Sequence, residues 1–282
     1  MKLKRKLGFI GAGNMAEALA RGLLAKKVFK ASQMIASDID PARRRKLSRT
    51  LGIATAADNL EVVAEAPAIV IAVKPQTIDA VLEGIGAATR ASASPAPAAA
   101  TRLFISIAAG IPIARIERAI GKAARLIRVM PNAPAMVGHG MAGLVRGSGA
   151  SKADMAFALR IFRAVGDAVE LRNERDLDVV TALSGSGPAY VYLFIKSLAD
   201  AAVADGLPRE LALRMALQTV RGAEHHMRHC GLEAAELIRI VASPGGTTEA
   251  ALRRFAEAGF SDIVANAVHA AAERSRELGR QE

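Results

Sequence analysis

Short apolar runs alternate with amphipathic segments along the first half of the chain. The predicted strands are Leu7–Ile10, Met34–Ser37, Ile69–Val73, Leu103–Ile107, Arg125–Met130 and Ala168–Leu171, and the predicted helices between them span 14–26, 41–50, 76–88 and 112–120. A repeated succession of strand and helix is typical of a parallel sheet that is covered by helices on both faces. The pattern therefore predicts a doubly wound α/β domain.

The periodicity changes near residue 172. A helix is predicted around 151–165, ended by Gly166, and after the last strand every periodic segment is helical. These segments span 174–184, 188–205, 208–229, 233–241 and 247–279, with a break near Gly259. We therefore predict an α/β domain over residues 1–172 and an all-α domain over residues 173–282.

One helical segment of the second domain, YVYLFIKSLADAAVA at 190–204, is apolar on more than one face. A helix of this kind is buried on several sides. Two explanations fit: burial against a second chain in an oligomer, or a central position in a small helical bundle.

The segment LGFIGAGNMAEALARGLLA at 7–25 follows the basic residues 2–6 and fits two hypotheses. A positive start before an apolar stretch is typical of a secretion signal. The alternative is a strand, a glycine turn and a helix that binds a dinucleotide. In that case Gly11 permits the tight turn, Gly13 lets the pyrophosphate approach the backbone, and Ala16 lets the helix pack on the strand.

An acidic residue near the end of the second strand distinguishes the two hypotheses. A dinucleotide-binding unit has such a residue about 20 positions after the glycines, where it binds the ribose hydroxyls. Asp38 occupies this position, while Asn14 and Glu17 interrupt the apolar core that a signal peptide requires. The sequence therefore favours a Rossmann-like dinucleotide-binding domain.

Composition restricts the partners of the chain. The net charge of +11 raises nucleic acid as a partner, but the basic residues are scattered, with clusters at 2–6, 43–46 and 122–128, and two tyrosines without tryptophan offer little base stacking. We predict a solvated basic surface that attracts small anions, and no nucleic-acid partner. No apolar run reaches the ~18 residues of a membrane span, so no membrane partner is predicted. The single cysteine, Cys230, favours a reducing compartment and hence the cytoplasm.

Four further stretches carry candidate chemistry: AVKP at 72–75, MPNAPA at 130–135, LSGSGPAYVY at 183–192 and SPGGTTEAAL at 243–252. The first follows a strand at the carboxyl edge of the predicted sheet, where ligands of such folds bind. The last is a turn that opens into a helix, and its hydroxyls and amides suit a carboxylate, although an ordinary helix cap has a similar composition.

Together these stretches resemble the pyrroline-5-carboxylate reductase family from about Leu7 to about Leu278, and Ser-Pro-Gly-Gly-Thr-Thr is the most specific of them. The resemblance implies a Rossmann domain followed by a helical dimerisation domain, and a homodimer that assembles into a decamer. It also implies reduction of L-1-pyrroline-5-carboxylate to L-proline, the last step of proline biosynthesis, with NADPH or NADH as cofactor.

The resemblance also implies the role of individual residues. The pyrophosphate is assigned to Gly11, Ala12, Gly13, Asn14 and Met15, the adenosine side to Asn59, the nicotinamide-ribose region to Ala72, Val73, Lys74, Pro75, Ala108 and Ala109, and the substrate to Ser243, Gly246, Thr247 and Thr248. Thr248 is the candidate catalytic residue, placed to hydrogen-bond the ring nitrogen. Two features depart from the family: Asp38, where NADPH-using members often carry a hydroxyl or basic residue, and a Pro-Ala-rich insertion at 91–100, which we expect to be a surface loop.

The expected chemistry needs no strong general acid. A protonated cyclic imine is already an electrophile, so the enzyme mainly has to position it against the nicotinamide. Lys74 is a possible proton donor, but a structural or ribose-contacting role is favoured. The cofactor preference is balanced, because Asp38 repels a 2′-phosphate while Arg43, Arg44 and Arg45 attract one. We expect dual specificity with a modest preference for NADH.

Three other interpretations fit parts of the sequence. In HHMRHC at 225–230, His225 with His229 and His226 with Cys230 have the spacing of helical metal ligands, but no second histidine or cysteine cluster occurs, and no metal site is predicted. A β-hydroxyacid dehydrogenase shares the domain layout but is expected to carry a catalytic lysine motif where this chain has SGSGPAY. A regulator that senses dinucleotides would have no use for SPGGTT.

Overall fold

Eight strands form one sheet in the structure, a computed structural model that describes residues 6–91, 102–121 and 124–280. The strands are β1 (Leu7–Ile10), β2 (Met34–Ser37), β3 (Ala54–Ala56), β4 (Ala68–Ile71), β5 (Leu103–Ser106), β6 (Arg125–Met130), β7 (Gly140–Arg146) and β8 (Gly166–Glu170). Their spatial order is β3-β2-β1-β4-β5-β6-β7-β8. The first six are parallel, β7 is antiparallel to β6, and β8 is parallel to β7. The strand order thus reverses between β1 and β4, the position at which Rossmann folds bind dinucleotides.

The helices occur between the strands and then in an uninterrupted series. They are α1 (Asn14–Ala25), α2 (Pro41–Leu51), α3 (Asn59–Glu65), α4 (Ile78–Ala91), α5 (Ile113–Ile120), α6 (Lys152–Phe162), α7 (Asp176–Val180), α8 (Gly187–Ala204), α9 (Arg209–Cys230), α10 (Ala234–Val241), α11 (Thr247–Glu257) and α12 (Phe260–Arg280). The chain divides into two compact units, unit 1 of Met1–Gly185 with Ala271–Glu282 and unit 2 of Ser186–Ala270. No helix among the described residues is both long enough and apolar enough to span a membrane.

The core of unit 1 consists of two hydrophobic clusters, and successive residues of a strand belong to one cluster and then to the other. Phe9 and Ile105 belong to one cluster, whereas their neighbours Ile10 and Phe104 belong to the other, and all four are fully buried. Successive side chains of a strand point to opposite faces, so the strands are buried on both faces. This burial explains why the strands appear in the sequence as continuous apolar runs.

The predicted doubly wound α/β fold is confirmed, with some corrections to its elements. The predicted strand at 69–73 ends at Ile71, the helix at 151–165 ends at Phe162, and the helix at 174–184 is the short α7 followed by a π-helical turn at Thr181–Gly185. The sequence did not predict β3, which has only three residues, nor α3 and β7. The predicted loop at 91–100 lies outside the described residues, apart from Ala91.

Glycines explain why β7 escaped prediction, since they lower strand propensity. A Cβ on Gly143 would lie 3.0 Å from side-chain atoms of both Leu171 and Val180. A Cβ on Gly140 would lie 2.8 Å from the Cβ of Ala135. These positions therefore accept only glycine without displacement of their neighbours, and packing overrides local propensity.

Unit 2 is helical and buries little. Its hydrophobic cluster contains three buried residues, all of them alanines: Ala199 on α8, with Ala212 and Ala216 on α9. Many larger apolar side chains of α8 to α12 are exposed, including Tyr192, Leu193, Leu213, Met215, Ile238, Ile240, Val241, Phe255, Phe260 and Ile263.

Candidate active site

The glycine loop after β1 is the first part of the candidate site. Gly11 has φ +95°, and a Cβ there would lie 2.7 Å from the carbonyl oxygen of Ala72, so this position requires glycine. Gly13 has φ −76°, which any residue adopts, and a Cβ there would meet no atom within 4 Å. No contact within the protein therefore requires glycine at position 13. The open space beside it lets a phosphate approach the backbone closely.

The N-terminus of α1 is open to an anion. Gly13 is its N-cap, and no side chain caps the first turn, so the amide of Asn14 and those that follow are free of side-chain partners. Glu17 lies in the same turn, but it pairs with Lys46 at 2.6 Å and with Arg21 at 2.8 Å. The hydrogen bond from Lys46, aided by Arg21, lowers the pKa of Glu17. These cations offset the charge of Glu17 near the expected phosphate.

Asp38 connects the end of β2 to the glycine loop. Its Oδ2 accepts a hydrogen bond from the amide of Ala12 at 2.8 Å, and its Oδ1 accepts one from the amide of Asp40 at 2.9 Å. The residue is only 7% exposed. Arg43 Nη1 lies 3.6 Å from Oδ2, while Arg44 donates to the carbonyl oxygen of Asp38 at 2.5 Å. Asp38 thus has a structural role in the loop, and its predicted contact with ribose stays a prediction.

Two neighbours at the same end of β2 were not predicted. The Ser37 hydroxyl is buried and donates to Asn59 Oδ1 at 2.7 Å, which holds the predicted adenosine residue beside β2. Ile39 is 89% exposed, although it directly follows a buried strand. An isoleucine so exposed offers an apolar contact to a flat aromatic ring. The sequence contains a signal for both residues, because Ser37 and Ile39 flank Asp38 directly after the apolar run of β2.

The ends of β4 and β5 supply the next residues. Ala72 follows β4 and donates its amide to Ile10 at 2.8 Å, and Val73 packs against the sheet. Lys74 is exposed and begins a 3₁₀ turn at Pro75–Thr77.

Ala108, which is buried, and Ala109, which is exposed, follow β5. Because β4 lies between β1 and β5 and all three are parallel, their carboxyl ends meet at one edge. Unit 1 therefore brings the predicted cofactor residues to the switch point of its sheet, and they fit a dinucleotide.

The turn between α10 and α11 carries the predicted substrate residues in unit 2. Gly246 donates its amide to the carbonyl oxygen of Ser243 at 3.0 Å and is the N-cap of α11, where no side chain caps the helix. The Glu249 side chain reaches back to this turn and accepts the Gly245 amide at 2.6 Å, while the amides of Thr247 and Thr248 open the helix, where an anion can bind. Thr248 also lines a cavity of about 450 Å³ that is otherwise mostly apolar. The turn thus combines an anion-binding end with an apolar wall.

Two histidines of α9 lie close together. The rings of His225 and His229 have centroids 5.0 Å apart. In the part of the chain that the structure describes, no three His, Cys, Asp or Glu side chains are gathered in a way that would hold a metal ion.

Two family models match the chain. One is described as pyrroline-5-carboxylate reductase dimerisation and covers residues 174–278. The other is described as NADP oxidoreductase, coenzyme F420-dependent, and covers residues 6–110. The matches fall on the helical series and on the glycine-loop half of the sheet.

Relatives match over nearly the full length. A pyrroline-5-carboxylate reductase of Pseudomonas aeruginosa is 41% identical and covers 98% of this chain and 97% of its own. The solved structure of the Coxiella burnetii enzyme has a TM-score of 0.90 at 32% identity and covers 99% of this chain and 100% of its own. The Plasmodium falciparum enzyme, solved with NADP bound, has a TM-score of 0.85 at 33% identity with the same coverage. The chain therefore belongs to the pyrroline-5-carboxylate reductase family.

Proposed function

We propose that the chain reduces L-1-pyrroline-5-carboxylate to L-proline, the last step of proline biosynthesis, with NADPH or NADH as the reductant. The observation that carries this proposal is the 41% identity to a pyrroline-5-carboxylate reductase over 98% of the chain. The matched region includes both the glycine loop and the Ser-Pro-Gly-Gly-Thr-Thr turn.

The cofactor is assigned to unit 1. The loop from Gly11 to Met15 binds the pyrophosphate through the open N-terminus of α1, and Asp38 and Asn59 face the adenosine ribose. Residues 72–75, with Ala108 and Ala109, line the nicotinamide ribose. A bound dinucleotide supplies the hydride for the reduction. The NADP bound to the Plasmodium falciparum relative supports this assignment.

The substrate is assigned to the turn at 243–248. The first amides of α11 and the Ser243 region bind the carboxylate, and the Thr248 hydroxyl hydrogen-bonds the ring nitrogen. Because the protonated imine is already electrophilic, these residues orient the ring and exclude water rather than transfer a proton in a demanding step.

The assembly is assigned to unit 2. Its exposed apolar side chains require a covering surface, and a second copy of the chain supplies one. We include in the proposal a decamer assembled from dimers, on the resemblance, and a cytoplasmic location, on the single cysteine.

Oxidation of NADPH on addition of pyrroline-5-carboxylate, followed in a Thr248→Ala variant, tests the function and the site together. One charge-assisted hydrogen bond in the transition state is worth roughly 1.5–3 kcal/mol, so kcat/KM should fall by about 10–100-fold while NADPH affinity stays unchanged. Thr50→Ala, at an exposed threonine of α2, is the matched control. An unchanged kcat/KM in Thr248→Ala removes this residue from the site, and a wild type that oxidises NADPH with a β-keto acid instead excludes the proposed substrate.

A further inference from the structure

Two stretches are left unexplained by the assigned cofactor and substrate roles, MPNAPA and LSGSGP, and the first of them meets the first three residues of the second, 183–185, in unit 1. Asn132 follows β6 and is 9% exposed. Its Nδ2 donates to the carbonyl oxygen of Ser184 at 3.0 Å, and its Oδ1 accepts the amide of Met141 at 2.8 Å. A Cβ on Gly185 would lie 2.6 Å from Cε of Met130, so the two stretches are also closely packed. The Asn132 side chain thus joins the carboxyl end of β6 to the π-helical turn at Thr181–Gly185.

The sequence explains why the Ser184 carbonyl needs a donor from elsewhere. In a continuous helix, this oxygen would accept the amide four residues later, but that residue is Pro188, which has no N–H. The next amide, that of Ala189, donates to the carbonyl oxygen of Ser186 at 2.9 Å. A fully buried carbonyl without a donor costs about 1–3 kcal/mol, and the partly buried carbonyl of Ser184 loses part of that amount without Asn132. Asn132 therefore supplies the hydrogen bond that the proline removes.

The hydrogen bond from Asn132 to Ser184 lies next to the boundary between the two units in the sequence. Gly185 is the last residue of unit 1 in this part of the chain, and unit 2, which carries the substrate turn, begins at Ser186. The π-helical turn is held further by Thr181, whose hydroxyl donates to the Leu177 carbonyl at 2.7 Å. π-helical turns are rare in proteins, and many of those that do occur lie at functional sites.

We propose that Asn132 is a positioning residue for the reductase reaction: it holds the π-helical turn at Thr181–Gly185, the segment of chain that leads into α8, without touching substrate or cofactor. The proposal rests on the proposed function. A displacement of about 1 Å at a reacting centre can cost about 100-fold in rate, so a lost hydrogen bond at this junction is sufficient to slow catalysis.

The test compares the wild type with Asn132→Asp, Pro188→Ala and the double variant. Asn132→Asp keeps the size and the acceptor for Met141 but replaces the donor with an acceptor. It should lower kcat/KM for pyrroline-5-carboxylate by at least about 10-fold, while the NADPH dissociation constant stays within about 2-fold. Pro188→Ala should keep near-wild-type activity and, in the double variant, restore most of the loss, because it returns an N–H to the Ser184 carbonyl.

A pH profile separates positioning from general weakening of the fold. A protonated carboxyl can donate a hydrogen bond, so the activity of Asn132→Asp relative to wild type should rise as the pH falls through the pKa of the introduced group. Full activity of Asn132→Asp at every pH, or no recovery in the double variant, overturns the proposal. If Asn132→Asp does not fold, recovery of folding in the double variant supports it. If the wild type does not reduce pyrroline-5-carboxylate, the proposed function fails, whereas recovery of the unfolding midpoint in the double variant still tests the hydrogen bond.

Discussion

Unit 1 and unit 2 differ in what they bury. The fully buried residues of unit 1 include Phe9, Phe104 and Phe162, packed in two clusters on the faces of the sheet. Unit 2 buries only alanines in its cluster and leaves Tyr192 and Leu193 more than 60% exposed. A large apolar side chain gains about 1.5–3 kcal/mol when it is fully buried. Unit 1 therefore holds its candidate cofactor site on a hydrophobic core of its own, while unit 2 leaves large apolar side chains exposed, which under the proposed function a second copy covers.

The largest effect is expected from a charge introduced at Leu193, an exposed residue of α8, which tests whether a second copy covers unit 2. A charge in a surface that a partner covers is costly, because it is desolvated without a counter-ion. Leu193→Asp should yield monomers in light scattering and lower reductase activity by more than about 100-fold, with NADPH still bound by unit 1. Val169→Asp, at an exposed valine of β8, is the matched control and should leave the oligomer intact. A Leu193→Asp protein that remains oligomeric contradicts the assignment of this surface.

The next effect acts on unit 1 and separates its function from its fold. Gly13→Val fills open space and should reduce NADPH affinity by more than about 100-fold with little change in the unfolding midpoint. Gly11→Val, by contrast, meets the Ala72 carbonyl at a positive φ and should lower stability as well. Titration of NADPH and thermal unfolding of both variants check this pair. Retained affinity in Gly13→Val would refute the pyrophosphate assignment.

The sequence predicted most of unit 1 and the helices of unit 2, because buried strands and amphipathic helices leave strong periodic patterns. It missed β7, where packing requires Gly140 and Gly143. Local propensity counts glycine against a strand and does not include the tertiary contacts that require it. It located Asp38 but not the hydrogen bond that this carboxylate accepts from the Ala12 amide, which depends on loop geometry. It singled out MPNAPA and LSGSGP, but only the fold shows that Asn132 joins them.

A smaller effect concerns an ion pair that unit 1 contains and that pH can break. Arg125 on β6 and Asp154 on α6 form a bidentate pair, and the hydrogen bonds from Arg125, with those from Ser151, lower the pKa of Asp154 to about 2. Because this folded-state pKa lies below the unfolded value, the ionised Asp154 with its Arg125 and Ser151 partners stabilises the protein by about 2 kcal/mol above roughly pH 4, and this contribution is lost as the pH falls towards 2.

Chemical denaturation of Asp154→Ala against wild type measures this contribution. The variant should be less stable by about 2 kcal/mol or somewhat more at neutral pH, and the gap should close in acid. Asp154→Asn, which can still accept from Ser151, should lose less. A gap that does not change with pH would show that the charge of Asp154 is not responsible.

The smallest effect sharpens the cofactor site of unit 1. Asp38→Ser removes a charge that repels a 2′-phosphate, so the ratio of kcat/KM with NADPH to that with NADH should rise several-fold. Both values should also fall, because the Ala12 amide loses its acceptor. Asp38→Asn keeps an acceptor and should show the change in ratio with a smaller loss. If the ratio stays constant, Asp38 serves the loop alone and does not face the ribose.

The most direct test of the account is a stoichiometric assay of the purified wild-type chain. NADPH or NADH is mixed with L-1-pyrroline-5-carboxylate, and the loss of reduced nicotinamide is compared with the proline formed. We predict that both cofactors are oxidised, that one proline appears for each dinucleotide consumed, and that the rate disappears in Gly13→Val. Absence of proline, or dinucleotide oxidation that does not depend on pyrroline-5-carboxylate, would contradict it.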